Sequence, residues 1–151
     1  MENKSLNLPF SVLDIQKCIP HRYPFLLIDT VTAIVLNESI VALKNVSISD
    51  PILQGHFPEA PIYPGVLIIE GMAQASAVLG YFSNQEEGRT SKQVLLTEVS
   101  KSRFKRKVEP GDVLRYEVKV LRRRAPFFWF EGYAFVGEES VASAHFSALM
   151  K

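Results

Sequence analysis

The sequence predicts an α+β fold, with a mostly antiparallel sheet built around one long buried helix. Three observations carry this. Gly65–Phe82 is apolar on every side, as a helix enclosed by other elements would be. The segments around it are short, β-branched or aromatic, and in places strictly alternating. A proline-rich stretch, Ser49–Pro64, separates the helix from the first of them. Strands segregated from a single long helix point to α+β rather than to alternating βα units.

Taken in order, Ser11–Ile19 reads as a short helix capped by Ser11, with Asp14 in its first turn and Pro20 ending it. His21-Arg22-Tyr23-Pro24 reads as a turn. Phe25–Leu36 and Ser39–Ile48 read as a hairpin joined at Asn37-Glu38. Ser49–Pro64 carries Pro51, Pro58, Pro61 and Pro64, which forbid a central strand or helix, so a stiff ordered loop is expected. Gly65–Phe82 is the long helix, with Gly80 and Asn84–Ser91 marking its end and a polar loop. Lys92–Val99 reads as a strand, continued or extended past a bulge by Ser102–Val108. Glu109-Pro110-Gly111-Asp112 is a turn. In Val113–Leu121, Tyr116, Val118 and Val120 alternate with Arg115, Glu117 and Lys119. Ala125–Val136 and Ser140–Met150 complete the strands across Gly137-Glu138-Glu139.

The 151 residues fit one domain spanning 1–151, without internal repeat, low-complexity tract or Gly/Ser linker. A net charge of +1 gives no global signal for nucleic acid or membrane. The single cysteine, Cys18, excludes an intrachain disulfide and a thiolate metal site, and fits a reducing, cytoplasmic compartment. Met1–Phe10 is polar and has no apolar core, so no secretory signal is expected. Gly65–Phe82 approaches the length of a membrane span, but Glu70 in its middle argues against one.

Glu70 is the most informative residue. A carboxylate in an apolar helix needs a partner. Gln74 lies one turn later on the same face, so one stripe of the helix is polar and something polar must meet it. His56, in Gln54-Gly55-His56-Phe57-Pro58, is the best candidate: histidine can act as a base near neutral pH, and a buried carboxylate as an acid. Pro64-Gly65 opens the helix. The first amides there lack intrahelical acceptors, and Gly65 would let a ligand oxygen come close, which suits a developing oxyanion.

These residues fall in a recognisable pattern. Gly55-His56-Phe57-Pro58, Pro61 to Glu70 and Met72-Ala73-Gln74 resemble the signature of the (3R)-hydroxyacyl-[acyl-carrier-protein] dehydratases of type II fatty-acid synthesis. Pro20 to Asp29 resembles that family's N-terminal motif. Arg103-Phe104-Lys105-Arg106 with Pro110-Gly111-Asp112 resembles its third stretch. The resemblance implies a hotdog fold, in which an antiparallel sheet wraps the central helix. It implies a homodimer, usually assembled into a trimer of dimers, with His56 of one subunit facing Glu70 of its partner and the Gly65 amide polarising the thioester carbonyl. It implies an acyl-carrier-protein substrate and neither metal nor organic cofactor. Ser100 stands where many members have Asp. Glu70 points to the dehydratase-only branch, since the dehydratase/isomerase branch typically has Asp there, although some isomerases keep Glu.

The basic run Lys101, Arg103, Lys105, Arg106 and Lys107, with Arg122-Arg123-Arg124, reads either as a solvated face or as a docking patch for an acidic carrier. No nucleic-acid module accompanies it. Phe127, Phe128, Trp129 and Phe130 cannot all point inward from one strand, so some must face a subunit contact or an acyl tunnel. His21, without an acidic neighbour in sequence, reads as structural, His145 as half-exposed, and Cys18 as a small apolar filler. Two other readings of the same scaffold stay open: an acyl-thioesterase or enoyl isomerase, and a non-catalytic carrier binder.

Overall fold

A computed structural model describes residues 5–89 and 93–151. Thr90, Ser91 and Lys92, expected to end the polar loop and begin a strand, lie outside the described residues.

Helix α1 (Val12–Cys18) begins with a capping box: Ser11 Oγ accepts from the Asp14 amide at 3.4 Å, and Asp14 Oδ2 accepts from the Ser11 amide at 3.0 Å. Its inner face buries Ile15 and Cys18. Six strands follow: β1 (Thr30–Val35), β2 (Ser39–Asn45), β3 (Val94–Phe104), β4 (Val113–Arg124), β5 (Phe127–Val136) and β6 (Glu139–Met150). They form one antiparallel sheet in the order β1-β2-β4-β5-β6-β3. The alternation read in β4 is real: Leu114, Tyr116 and Val118 are buried, while Lys119 is exposed.

Helix α2 (Gly65–Glu86) packs against β2, β3, β4, β5 and β6, so the sheet does wrap it. The helix is long and apolar enough to cross a membrane, yet 67% of the qualifying stretch is buried inside the protein, as a core helix would be. Close approach to the sheet depends on missing side chains. A Cβ on Gly132 would lie 2.7 Å from Met72 Sδ, and one on Gly71 would overlap the Tyr116 ring. Of the consecutive aromatics, Phe128 and Phe130 enter the core, Phe127 is exposed, and Trp129 lies under the Arg122 guanidinium at 4.8 Å.

The structure departs from the sequence expectation in where elements begin and end. Phe25–Asp29 is not part of a strand: the Asp29 amide bonds the Leu43 carbonyl of β2, but the first three amides are engaged elsewhere. Those of Phe25 and Leu26 bond the Arg22 carbonyl, and that of Leu27 bonds the Gln74 side chain. Helix α2 runs beyond Phe82 to Glu86, where the Asn84 carbonyl accepts from the amides of Glu87 and Arg89. Strand β3 meets the expectation of a strand continued past a bulge: it runs on to Phe104, with register shifts at Leu96/Glu98 and Ser100/Arg103 and a left-handed backbone at Lys101 (φ 48°).

Candidate active site

The proline-rich loop is ordered by its own backbone. A 3-10 turn at Pro51–Gln54 buries Leu53. Phe57 and Ala60 exchange amide-to-carbonyl bonds, the Ile62 amide bonds the His56 carbonyl, and the Tyr63 amide bonds the Val108 carbonyl. This frame holds His56 half-buried, its ring stacked on Phe57 at 4.2 Å. His56 Nδ1 lies 2.6 Å from the Ile62 carbonyl oxygen. A carbonyl only accepts, so Nδ1 carries a proton, and in the neutral ring Nε2 is left with the lone pair that a general base needs.

Gly65 opens α2 behind Pro64, and no side chain caps that end. Its amide therefore stands at the positive end of the helix dipole. The space a Cβ would take is held by Phe104, whose Cε1 would be 2.7 Å away. A side chain at this position would therefore have to displace the Phe104 ring. Beside it is an open cleft of about 500 Å³, lined by Gly65, Val66, Phe104, Lys105, Arg106 and Lys107.

Glu70 projects from the next turns, its side chain 19% exposed. Its Oε1 accepts from Gln74 Nε2 at 3.0 Å. Gln74 is itself fixed by the chain before β1: its Nε2 also donates to the Phe25 carbonyl at 2.7 Å, and its Oε1 accepts from the Leu27 amide at 2.8 Å. The polar stripe on α2 therefore meets backbone. It also meets His21, whose Nε2 lies 3.7 Å from Glu70 Oε1. Burial holds His21 below the ordinary histidine range, with the Glu70 charge opposing and Arg22 adding. Arg22 pins the turn by donating to the carbonyls of Gln16, Ile19 and His21.

Glu70, His21 and Gln74 open into a small cleft of about 120 Å³, whose other wall is Val94, Leu95 and Leu96 of β3. Strand β3 is the edge of the sheet and is exposed along most of its length, apolar residues included. Among the described contacts, none joins His56 to Glu70 within the chain. Tyr63 is not an acid-base candidate: burial, with the Asp50 and Asp29 charges adding, pushes its hydroxyl far above the usual range.

Of the proposed docking residues, Lys101 and Arg103 are exposed on β3, and Lys105 and Arg106 line the cleft at Gly65. Arg106 is also paired with Asp112 at 3.6 Å and Glu139 at 3.5 Å. Ser100 sits opposite His145, which is half-exposed and 3.5 Å from Glu131. Among the described residues, no cluster of three or more His, Cys, Asp or Glu is placed to hold a metal ion. His21 is the residue the sequence reading set aside. The unmet polar stripe on α2 is a signal for it, but His21 and Glu70 lie far apart in sequence and meet only in the fold.

The model of the FabA-like domain matches residues 19–145. The chain belongs to the FabA-like family. Among curated FabA-like relatives, the 3-hydroxyacyl-[acyl-carrier-protein] dehydratase FabZ of a Nitratiruptor species is 46% identical, the match covering 92% of this chain and 96% of that one. The dehydratases of the same name from Sulfurimonas denitrificans and Campylobacter lari are 44% and 45% identical, with 92% of this chain covered and 95% and 96% of theirs. The resemblance read from three motifs therefore holds along nearly the whole chain, and this FabA-like protein is a dehydratase, a hydro-lyase. A solved structure, the dehydratase heterocomplex ApeI:P from Xenorhabdus doucetiae, shares the FabA-like fold with a TM-score of 0.80 over 97% of this chain and 93% of that one, at 22% identity.

Proposed function

We propose that this protein converts (3R)-hydroxyacyl-[acyl-carrier-protein] to the trans-2-enoyl thioester in fatty-acid elongation, using sites composed across two subunits. His56 Nε2 removes the proton from the carbon next to the thioester carbonyl. The charge that develops on the carbonyl oxygen is stabilised by the Gly65 amide at the α2 N-terminus. Glu70 of the partner subunit protonates the departing 3-hydroxyl, which leaves as water. The observation that carries this reading is the paired orientation of the two groups: a His56 whose free nitrogen is set by the Ile62 carbonyl, and a Glu70 that opens toward an unpaired sheet edge instead of toward its own His56.

Strand β3 supplies the dimer contact. Leu95, Leu96, Val99 and Phe104 are 40–52% exposed on it, an apolar edge that favours pairing with a second copy. Assembly into a trimer of dimers extends the same reading. Lys105 and Arg106 border the cleft at Gly65, Lys101 and Arg103 are exposed on β3, and together they suit an acidic carrier with a phosphorylated arm. Cys18, a buried thiol donating to the Asp14 carbonyl, fits a reducing cytoplasm.

The test is subunit complementation. His56→Ala and Glu70→Gln are each expected to lose at least about 100-fold in kcat, the usual scale for an acid or base. Refolded together, they should recover about a quarter of wild-type activity, because half the dimers are mixed and each mixed dimer holds one intact site. Recovery of nothing would reject the shared site, and retained activity in both single variants would reject the chemistry.

A further inference from the structure

Resting on the reading of Glu70 as the acid, we propose that His21 is a positioning residue. Together with Gln74 it anchors one carboxylate oxygen of Glu70, Oε1, so that the proton delivered to the substrate sits on the other oxygen, Oε2.

The orientation of Gln74 is fixed. Its carbonyl end must take the Leu27 amide and its NH2 end must face the Phe25 carbonyl, at 2.8 and 2.7 Å. The remaining N–H can then only be offered to Glu70 Oε1, 3.0 Å away. His21 Nε2 approaches that same oxygen at 3.7 Å. This exceeds a hydrogen bond, but contacts of catalytic groups in free enzymes often tighten when substrate binds. The His21 ring is stacked on Phe25, 6.4 Å between centroids, and its turn is clamped by Arg22.

The tautomer follows from burial. His21 Nδ1 is buried and has no hydrogen-bond partner among the described residues. A proton on Nδ1 would leave a buried donor unsatisfied and turn the Nε2 lone pair toward a carboxylate. The proton on Nε2 avoids both. One N–H, from Gln74, then donates to Oε1, a second, on His21 Nε2, lies 3.7 Å from it, and no described hydrogen bond reaches Oε2. A carboxylic acid proton on Oε1 would confront those donors, so it is held on Oε2. Of the other charged or titratable groups, Arg22 acts on His21 and the buried Tyr63 hydroxyl feels the Glu70 charge. The rest of the cleft is apolar: Ala73 and Ala77 of α2, and Val94, Leu95 and Leu96 of β3.

The experiment compares His21→Phe, which keeps a ring on Phe25 but has no N–H, with His21→Gln, which restores a donor, and uses Glu70→Gln as reference. With a hydroxyacyl-carrier substrate, His21→Phe should lower kcat by about tenfold and leave KM within about twofold, while His21→Gln recovers most of the loss. The alkaline limb of the kcat profile, set by ionisation of Glu70, should move to higher pH in His21→Phe, because a carboxylate that loses donors ionises less readily. A carboxyl-carbon NMR titration of Glu70, assigned by difference from Glu70→Gln, should move the same way without reference to turnover. In the wild-type protein, nitrogen NMR should find the His21 proton on Nε2, a result that needs no variant to fold. An active Glu70→Gln would overturn the parent reading of Glu70. An inactive Glu70→Gln beside a His21→Phe with wild-type kcat and an unmoved limb would overturn the positioning role alone. So would a kcat loss that leaves the limb in place and resists His21→Gln, or a proton found on Nδ1.

Discussion

A neutral histidine next to a carboxylate makes stability depend on pH in a definite direction. In the unfolded chain His21 titrates near 6.5, whereas burial lowers it in the fold. As pH falls the unfolded state takes up this proton first. The residue's contribution is therefore complete above the unfolded value and is lost as pH falls toward the folded one. Urea titrations at fixed protein concentration, from about pH 7.5 to 5.5, should show wild-type stability falling more steeply than that of His21→Phe. Parallel curves would remove His21 as the cause. Gly65 offers a second residue-level test. Gly65→Ala should cost about 1–2 kcal/mol, because its methyl meets the Phe104 ring. Phe104→Leu in the same chain should return the stability measured in urea while the kcat deficit persists, which would separate packing from chemistry. The sequence made His56, Gly65 and Glu70 visible because each is anomalous locally: a histidine between Gly and Pro, a glycine at a helix start, a charge in an apolar run. His21 looked ordinary, because its relation to Glu70 exists only once the turn is folded onto α2.

At the scale of elements, Gln74 joins α2 to the chain that leads into β1. Two of its hydrogen bonds, from the Leu27 amide and to the Phe25 carbonyl, hold backbone groups that were expected to join a strand ladder. Gln74→Leu keeps the volume but strands the Leu27 amide and the Phe25 carbonyl. It should cost about 2–4 kcal/mol in urea unfolding, the scale for buried polar groups left unpaired. A cost below about 0.5 kcal/mol would mean that water satisfies both. Regular elements were legible where the pattern repeats, as in the apolar length of α2 and the alternation of β4. Phe25–Asp29 has strand-like composition, but its outcome is set by a side chain nearly fifty positions later, which periodicity cannot report. The end of α2 is closed locally, by the Asn84 carbonyl that accepts from the Glu87 and Arg89 amides, which hydropathy does not report.

The whole molecule presents one edge of its sheet as an apolar strand. Val99 is 43% exposed in the middle of β3. Val99→Glu should shift the protein to smaller species in light scattering and reduce activity at least about tenfold, since like charges would face each other across a two-fold contact. An unchanged mass would place the dimer contact elsewhere. The strand order has a consequence for synthesis. Strand β3 emerges before β4 and β5, yet its ladder partner is β6. On a ribosome the growing chain must therefore carry β3 unpaired while three more strands are made, with the charges of Glu98, Lys101 and Arg103 among its apolar residues acting as gatekeepers against aggregation. The same strand that waits for β6 is the one a second subunit would join. Only a polypeptide translated through β6 can offer that edge in its folded form, so pairing of two subunits along it, as proposed, would double as a check that the nascent chain has been completed that far.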